Sequence, residues 1–343
     1  MSVRESDLDH LSANAIYASL LVDMLGQSNV SQGALLAGTG IQPEQLSSLD
    51  SRLSARQYNR LIDNARVLSK DPALAFKFGT QLKLSTHGFL GFAAMSAASL
   101  GEAIALAVKY CRTRFDFIEL TLHQSDQQTT LQVSQAAPLG STSLFFIDSI
   151  MTSLAVGCLN MLGEIPSGIQ VKRVCEKPAY FEQMKPWLPQ RPAILFNQSA
   201  DQVIFTEQLL QRPLNLSDPL AKQLAEQQCQ RELDTIPLED ELLYQIQRKL
   251  KQAEPGYLKL DQMAESLHMS SRTLKRRLQQ RGTSFQDLLD LVRMGQAKRL
   301  LFETSQSIDA IASTLGYSDA SNFSRAFKRK EGVTPAVYRR QKQ

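Results

Sequence analysis

Apolar positions toward the C-terminal end of the chain follow one pattern twice. Leu260, Met263, Ala264 and Leu267 fall at i, i+3, i+4 and i+7, the stripe of an amphipathic helix, and Ile308, Ile311, Ala312 and Leu315 repeat it 48 positions later. Leu274, Arg276 and Leu278 return 49 positions later as Phe323, Arg325 and Phe327, and Gly282 and Gly332 lie 50 apart. The drift of two residues fits a slightly longer turn in the second copy of a small domain built twice. Each copy predicts a helix, a short turn and a second helix. Ser270 is placed to cap a helix over 271–281 that stops near Gly282, and Ser318 to cap one over 319–330 that stops at Gly332. Between the copies, Ser284 and Asp287 have capping-box spacing, and Phe285, Leu288, Leu289, Val292, Ala297, Leu300 and Leu301 form one apolar face. These predict a stiff linker helix about 26 Å long at 1.5 Å per residue.

Residues 1–214 carry a mixed pattern. Phe117 to His123 alternates apolar and polar side chains, and Thr129 to Ser134 does so again after a Ser-Asp-Gln-Gln turn, which predicts a hairpin. The short apolar runs Ile169–Val174, Ala193–Phe196 and Gln202–Thr206 read as further strands. Ser99 and Glu102 have capping-box spacing at the head of a helix through Arg112. The run Ser143–Leu162 is close to the ~20 residues a membrane span needs. It contains Asp148 and Asn160, however, and an Asp at mid-bilayer costs about 2.5–3.5 kcal/mol, so a buried helix with no membrane partner is expected. Pro213, Pro219 and Pro237 punctuate a polar, Gln-rich stretch read as a connecting helix. The expected organisation is an α+β domain over residues 1–214, a connector over 215–239, and an all-α domain over 240–343 holding two helix-turn-helix motifs joined by a linker helix.

Composition and charge sharpen this picture. The chain has 343 residues, 43% hydrophobic and 21% charged, which is ordinary for a globular protein of about two domains. Its net charge of +4 hides an asymmetry. From Gly256 onward there are 16 basic residues against 8 acidic ones, a net +8, while the preceding 255 residues hold 22 against 26, a net −4. A basic quarter on an acidic body is suited to a polyanion, nucleic acid or an anionic membrane surface. Cys111, Cys158, Cys175 and Cys229 form no C-x-x-C pair, which favours reduced thiols over a disulfide framework or a zinc site. No metal and no cofactor are expected. The polar, acidic start MSVRESDLDH lacks the basic and apolar regions of a signal peptide, so a cytoplasmic, nucleoid-associated protein is expected.

The second helix of a helix-turn-helix enters the major groove, packing one face on its partner and turning the other to base edges. With Leu274 and Leu278 inward, Arg272, Lys275, Arg276 and Gln279 point out; with Phe323 and Phe327 inward, Ser321, Asn322, Arg325 and Arg329 point out. Arg can be bidentate to guanine and Asn to adenine. Expected base contacts are therefore Arg272, Lys275, Arg276, Gln279, Ser321, Asn322 and Arg325. Expected phosphate contacts are Arg277, Arg281, Lys328, Arg329, Lys330, Arg339 and Arg340. If the linker helix separates the two reading helices by about one DNA turn, ~34 Å, both can enter successive major grooves of double-stranded DNA.

Gly316-Tyr317, the run from Phe323 to Lys328 (FSRAFK), Gly332-Val333-Thr334-Pro335 and Tyr338-Arg339 resemble the signature of AraC/XylS-type bacterial transcription regulators. The run from Ser270 to Leu278 (SSRTLKRRL) is similar to the subgroup that includes a regulator of ornithine use. The resemblance covers roughly residues 240–343. It implies that Arg272, Arg276, Ser321 and Arg325 hold base-contacting positions, and that the protein acts on transcription, by family habit as an activator meeting RNA polymerase. More loosely, the run from His87 to Phe92 (HGFLGF), that from Ser99 to Ala103 (SLGEA) and that from Lys109 to Arg112 (KYCR) resemble the arabinose-binding-like ligand domain of this subgroup. That implies a small-molecule effector and self-association as a homodimer.

Phe89, Phe92, Tyr110, Phe115 and Phe117 bracket Arg112 and Arg114, and pockets combine apolar walls with a few polar anchors. Phe89, Phe92, Tyr110, Arg112 and Arg114 are accordingly the candidate effector pocket, where an anionic effector could meet an arginine bidentately. No H-E-x-x-H, Gly-rich phosphate loop or G-x-S-x-G elbow occurs, and no catalytic residue is assigned. Cys111, beside Lys109, Arg112 and Arg114, is a candidate for a lowered thiol pKa, though a small apolar role on a helix face is the simpler one. The alternative function is a metabolite-converting enzyme domain fused to a DNA-targeting module.

Overall fold

The computed structural model describes residues 8, 11–48, 51–125, 127–135, 139, 142–164, 166, 168–184, 192–236, 242–243, 245–246, 249–250, 257–304 and 306–342. The chain divides into two compact units, residues 2–236 and 237–343.

The first unit begins with β1 (Ser12–Asn14), α1 (Ile16–Gly26), α2 (Gln32–Leu36), α3 (Pro43–Ser47), β2 (Arg52–Ser54), α4 (Ala55–Ser69) and α5 (Leu74–Gln81). It continues with a 3-10 turn over Leu84–His87, α6 (Gly88–Met95), α7 (Leu100–Arg114), the hairpin β3 (Ile118–Gln124) and β4 (Gln128–Gln135), and α8 (Ser143–Leu162). It ends with β5 (Ile169–Lys172), β6 (Ala193–Leu195), β7 (Asp201–Thr206), α9 (Glu207–Leu210) and α10 (Pro219–Thr235). The five-stranded sheet runs β3-β4-β7-β5-β6, antiparallel except for the β5–β6 pair. The hairpin register sets Leu120 opposite Val133 and Leu122 opposite Leu131.

The short ribbon of β1 and β2 has no sequence signal, because three-residue strands are too brief to show alternation. Arg52 ties it to the end of α7: Nε donates to Ser12 Oγ at 2.8 Å, and the two terminal nitrogens donate to the Thr113 carbonyl at 2.8 Å and Asp116 at 2.9 Å. Ser99 does cap α7, accepting from the Glu102 amide, but the Glu102 carboxylate reaches past it to the Ala98 amide at 2.6 Å, so the reciprocal box does not close. Helix α8 is the apolar run of 20 residues. It is long and apolar enough to cross a membrane, and more than half of its apolar window is buried inside the protein. Asp148 within it pairs with Arg173, which also bonds Asp201 at 2.7 Å, so the charge is neutralised where it lies. Helix α10 is present where a connector was expected, but it packs on α6 and α7 as part of the first unit. Its tethers are Lys109 to Glu226 at 2.8 Å and the Tyr110 hydroxyl to Glu226 at 3.1 Å.

The second unit holds α11 (Leu260–Ser266), α12 (Ser271–Gln280), α13 (Phe285–Glu303), α14 (Ile308–Thr314), α15 (Ala320–Glu331) and α16 (Pro335–Lys342). It has two separate apolar clusters, one centred on Met263, Leu274 and Leu278, the other on Ile311, Phe323 and Phe327. Helix α13 belongs to both: Leu288, Leu289 and Val292 pack in the first cluster, and Met294, Ala297 and Leu301 in the second. Its 19 residues make a rod about 28 Å long at 1.5 Å each.

Candidate nucleic-acid interface and ligand cavity

The internal repeat is reproduced in backbone geometry. His268 and Gly316, 48 apart, both adopt left-handed φ, +54° and +70°. The Met269 amide bonds the Ala264 carbonyl at 3.0 Å, and the Tyr317 amide bonds the Ala312 carbonyl at 2.9 Å. After the turns, Ser270 accepts from the Thr273 amide at 3.1 Å and so caps α12. In the second copy the cap is Asp319 and not Ser318: its carboxylate accepts from the Asn322 amide at 2.6 Å. A carboxylate at this position also suits the positive end of the helix dipole. Gly332, at φ +79°, closes α15 in the left-handed conformation that favours glycine.

Leu274, Leu278, Phe323 and Phe327 are all buried to 1% or less, which fixes the rotation of both basic helices. Arg272, Lys275, Arg276, Arg277 and Gln279 are exposed along α12, and Ser321, Arg325, Lys328, Arg329 and Lys330 along α15. Three expected contacts are otherwise engaged. Asn322 is half-buried: its amide nitrogen donates to Ser318 Oγ and Asp319, each at 2.7 Å, and its oxygen accepts from Arg325 at 2.6 Å. Arg339 donates to the Leu301 and Gln306 carbonyls at 3.3 and 2.7 Å, holding the end of α13. Arg281 donates to the Arg277 carbonyl. Arg340 is exposed on α16.

Arg293 was not singled out by sequence. It lies midway along α13 with its guanidinium 5.2 Å from the Tyr257 ring centre and 5.0 Å from that of Tyr317, and it donates to the Gly316 carbonyl at 3.1 Å. Tyr257 belongs to the first cluster and Tyr317 to the second. The signal in sequence was a lone charge inside the apolar run Leu291-Val292-Arg293-Met294.

The first unit holds a partly open cavity of about 130 Å³ between α6, α7, α8 and the sheet, with walls that include Leu90, Ile104, Leu131, Met151, Leu154 and Phe205. His87, Cys111, Arg114 and Ser153 supply its polar atoms. Ser153 Oγ donates to the Leu82 carbonyl at 3.3 Å, so its oxygen accepts from His87 Nε2 at 3.1 Å, leaving Nδ1 to accept from the Tyr17 hydroxyl at 2.9 Å. Burial, with Arg114 nearby, lowers the His87 pKa to about 4, which keeps the ring neutral.

Of the five proposed pocket residues, only Arg114 borders this cavity. Phe89 and Phe92 lie on the exposed face of α6, Tyr110 turns toward α10, and Arg112 is buried elsewhere along α7. Phe115 and Cys111 do line it. Burial, together with Glu119 and Asp116, pushes the Cys111 thiol up to about 12, the reverse of the lowered value its sequence neighbours suggested.

Residues 30–214 match the arabinose-binding N-terminal domain of AraC transcription regulators, and residues 263–341 match a helix-turn-helix domain. The chain belongs to the AraC family of transcription regulators. The AraC-family relative named ornithine utilization regulator, from Pseudomonas aeruginosa, is 35% identical over 325 residues, covering 94% of this chain and 95% of its own. The transcriptional activator FapR of Escherichia coli is 39% identical over 80 residues, 23% of this chain and 31% of its own. Among solved structures, the regulator CdpR from Pseudomonas aeruginosa covers 94% of this chain and 96% of its own, at 20% identity and a TM-score of 0.45. This AraC-family regulator thus combines a ligand-binding N-terminal domain with a DNA-binding helix-turn-helix domain, and its relatives are transcription regulators, not enzymes.

Proposed function

We propose that this regulator reads double-stranded DNA with two helix-turn-helix motifs, 260–281 and 308–331, carried on the linker helix α13, and places α12 and α15 in successive major grooves. The observation that carries this reading is the shared polarity of the two basic helices. Each seals two residues one turn apart into its own apolar cluster, Leu274 with Leu278 and Phe323 with Phe327, and so turns Arg272 and Arg276, or Ser321 and Arg325, outward. Base contact falls to these four with Lys275 and Gln279, while Asn322 holds the Arg325 guanidinium in place. Arg277, Arg281, Lys328, Arg329 and Lys330 meet phosphate. Arg339, whose donors hold the end of α13, has a structural role instead.

The sensory part extends over residues 2–236, because α10 packs with it, and the second unit carries DNA binding. The cavity bordered by Arg114 and His87 is its effector site. The regulator works in the cytoplasm on the nucleoid, as a homodimer that activates through RNA polymerase. Relatives named activators support activation, and Leu220 and Leu224, exposed one turn apart at the start of α10 with Leu216 exposed in the turn before it, support self-association.

Arg276→Ala and Arg325→Ala in the full-length protein are each expected to cost about 1–3 kcal/mol at the specific site, and to relax preference at a few base pairs. The specific site is obtained by in vitro selection. An equal loss on random duplex would show that these arginines contact only phosphate.

A further inference from the structure

We propose that the cavity of the first unit takes an apolar monocarboxylate, whose headgroup displaces Glu232 from Arg114. The inference rests on the reading of this cavity as the effector site.

The body of such a molecule is dictated by the walls. They are aliphatic and aromatic over nearly all their surface, so they favour a guest whose body is apolar. Each methylene buried there improves affinity about fourfold.

The headgroup is dictated by Arg114. Of the described residues that line the cavity, it alone carries a permanent charge. The nitrogens of His87 are both engaged, and the ring is neutral. The Arg114 side chain is 8% exposed, against 27% for its partner Glu232 on α10. Its Nε donates to Thr113 Oγ1 at 3.1 Å, and a terminal nitrogen donates to Glu232. Gly88, at φ +59°, leaves the space beside the other terminal nitrogen, where a Cβ would lie 3.0 Å away.

An unpaired buried guanidinium is costly, so a guest can replace Glu232 only if it brings a negative charge of its own. A carboxylate does so, and Glu232, the more exposed partner, regains water as it leaves. The exchange keeps Arg114 paired in both states, so affinity comes from burying the apolar body. An alcohol offers no such trade. An amine, including the side-chain ammonium of a diamino acid, would meet the guanidinium with like charge, and no lining residue among those described is Asp or Glu. Helix α10 keeps its other tethers, Glu226 to Lys109 and Tyr110, so displacement loosens only its last turns, up to Thr235.

The test uses full-length protein and three eight-carbon probes: octanoate, octan-1-ol and octylamine, titrated by calorimetry. Octanoate is expected to bind at least tenfold more tightly than octanol, and octylamine more weakly than either. Glu232→Gln removes the competing carboxylate, and is expected to tighten octanoate about tenfold while leaving octanol unchanged, a gain that structural damage would not produce. Amide exchange over 231–235 is expected to rise with octanoate and not with octanol. Octanol binding as well as octanoate, an unchanged octanoate affinity in Glu232→Gln, or unchanged exchange over 231–235 would overturn the inference while leaving the cavity as the effector site. Failure of all three probes to bind protein that still binds DNA would overturn the effector-site reading itself.

Discussion

Arg293→Met would test what holds the two halves of the DNA-binding unit in register. Methionine keeps most of the unbranched stem on α13 and removes the guanidinium from between Tyr257 and Tyr317. Two cation–π contacts at a half-buried site contribute about 0.5–1 kcal/mol each. The charge-assisted hydrogen bond to the Gly316 carbonyl adds about 1.5–3 kcal/mol. Against these stands the buried Nε, which has no hydrogen-bond partner among the described residues, and whose removal returns about 1 kcal/mol. The expected net loss is about 1.5–4 kcal/mol. Both apolar clusters stay filled, so the halves should remain folded while their mutual orientation loosens. Denaturant titration should show the loss as a lower midpoint for residues 237–343, and affinity for a selected two-groove site should fall about tenfold, or ~1.4 kcal/mol. Affinity for a duplex carrying only one half-site should not change. If the unfolding free energy changes by less than about 0.5 kcal/mol and the two-groove site is bound as before, Arg293 is a solvated charge and the clamp does not exist.

Three further outcomes follow from the same geometry. Folded protein protonates His87 only near pH 4, whereas the unfolded chain does so near 6.5; the unfolded state therefore binds the extra proton in between, and stability should fall by up to about 3 kcal/mol as pH drops from 6.5 to 4. His87→Gln should flatten that part of the pH–stability curve, and an unchanged slope would refute the assignment. Gly91→Ala would set a Cβ 1.7 Å from the Leu84 carbonyl oxygen, a backbone clash, and should cost about 3 kcal/mol or more in thermal unfolding of the first unit; a change below 1 kcal/mol would mean that α6 can shift freely. Arg277→Ala should weaken specific and random duplexes alike and reduce the slope of log K against log salt by about 0.9, while a loss confined to the specific site would make Arg277 a base reader.

The second unit was legible because its information is local. A repeat of 48–50 residues, helix stripes and capping residues each act within a few turns, and the structure returns α12 and α15 within about a residue of the expected 271–281 and 319–330. The exception is instructive. Ser318 and Asp319 can both cap, and the choice fell to Asp319, leaving Ser318 to bond Asn322 and thereby steady Arg325. The hairpin and the three later strands were equally readable. In β3, however, alternation did not give burial: Glu119 is buried and Leu122 half-exposed, because coverage of that strand changes along its length.

The cavity of the first unit was not legible, and the reason is geometric. Sequence proximity grouped Arg112 with Arg114 and Phe89 with Phe92, but each helical residue turns about 100° from the last. On α7 that turn sends Arg114 and Cys111 to the cavity and Arg112 away from it. On α6 it puts Leu90, Gly91 and Ala94 on the wall and leaves Phe89 and Phe92 outside. His87 and Ser153, 66 residues apart, and Arg114, whose partner Glu232 lies 118 residues further on, are brought together only by packing. Glu232 also explains why a polar, Gln-rich stretch read as a connector. A helix that is mostly exposed, with Ala225 and Cys229 as its buried residues and an ion pair from Glu232 to a buried arginine, carries little apolar pattern. Because Arg114 borders the cavity and pairs with Glu232 near the end of that helix, the ion pair is the place where a change inside the cavity can alter a helix at its edge.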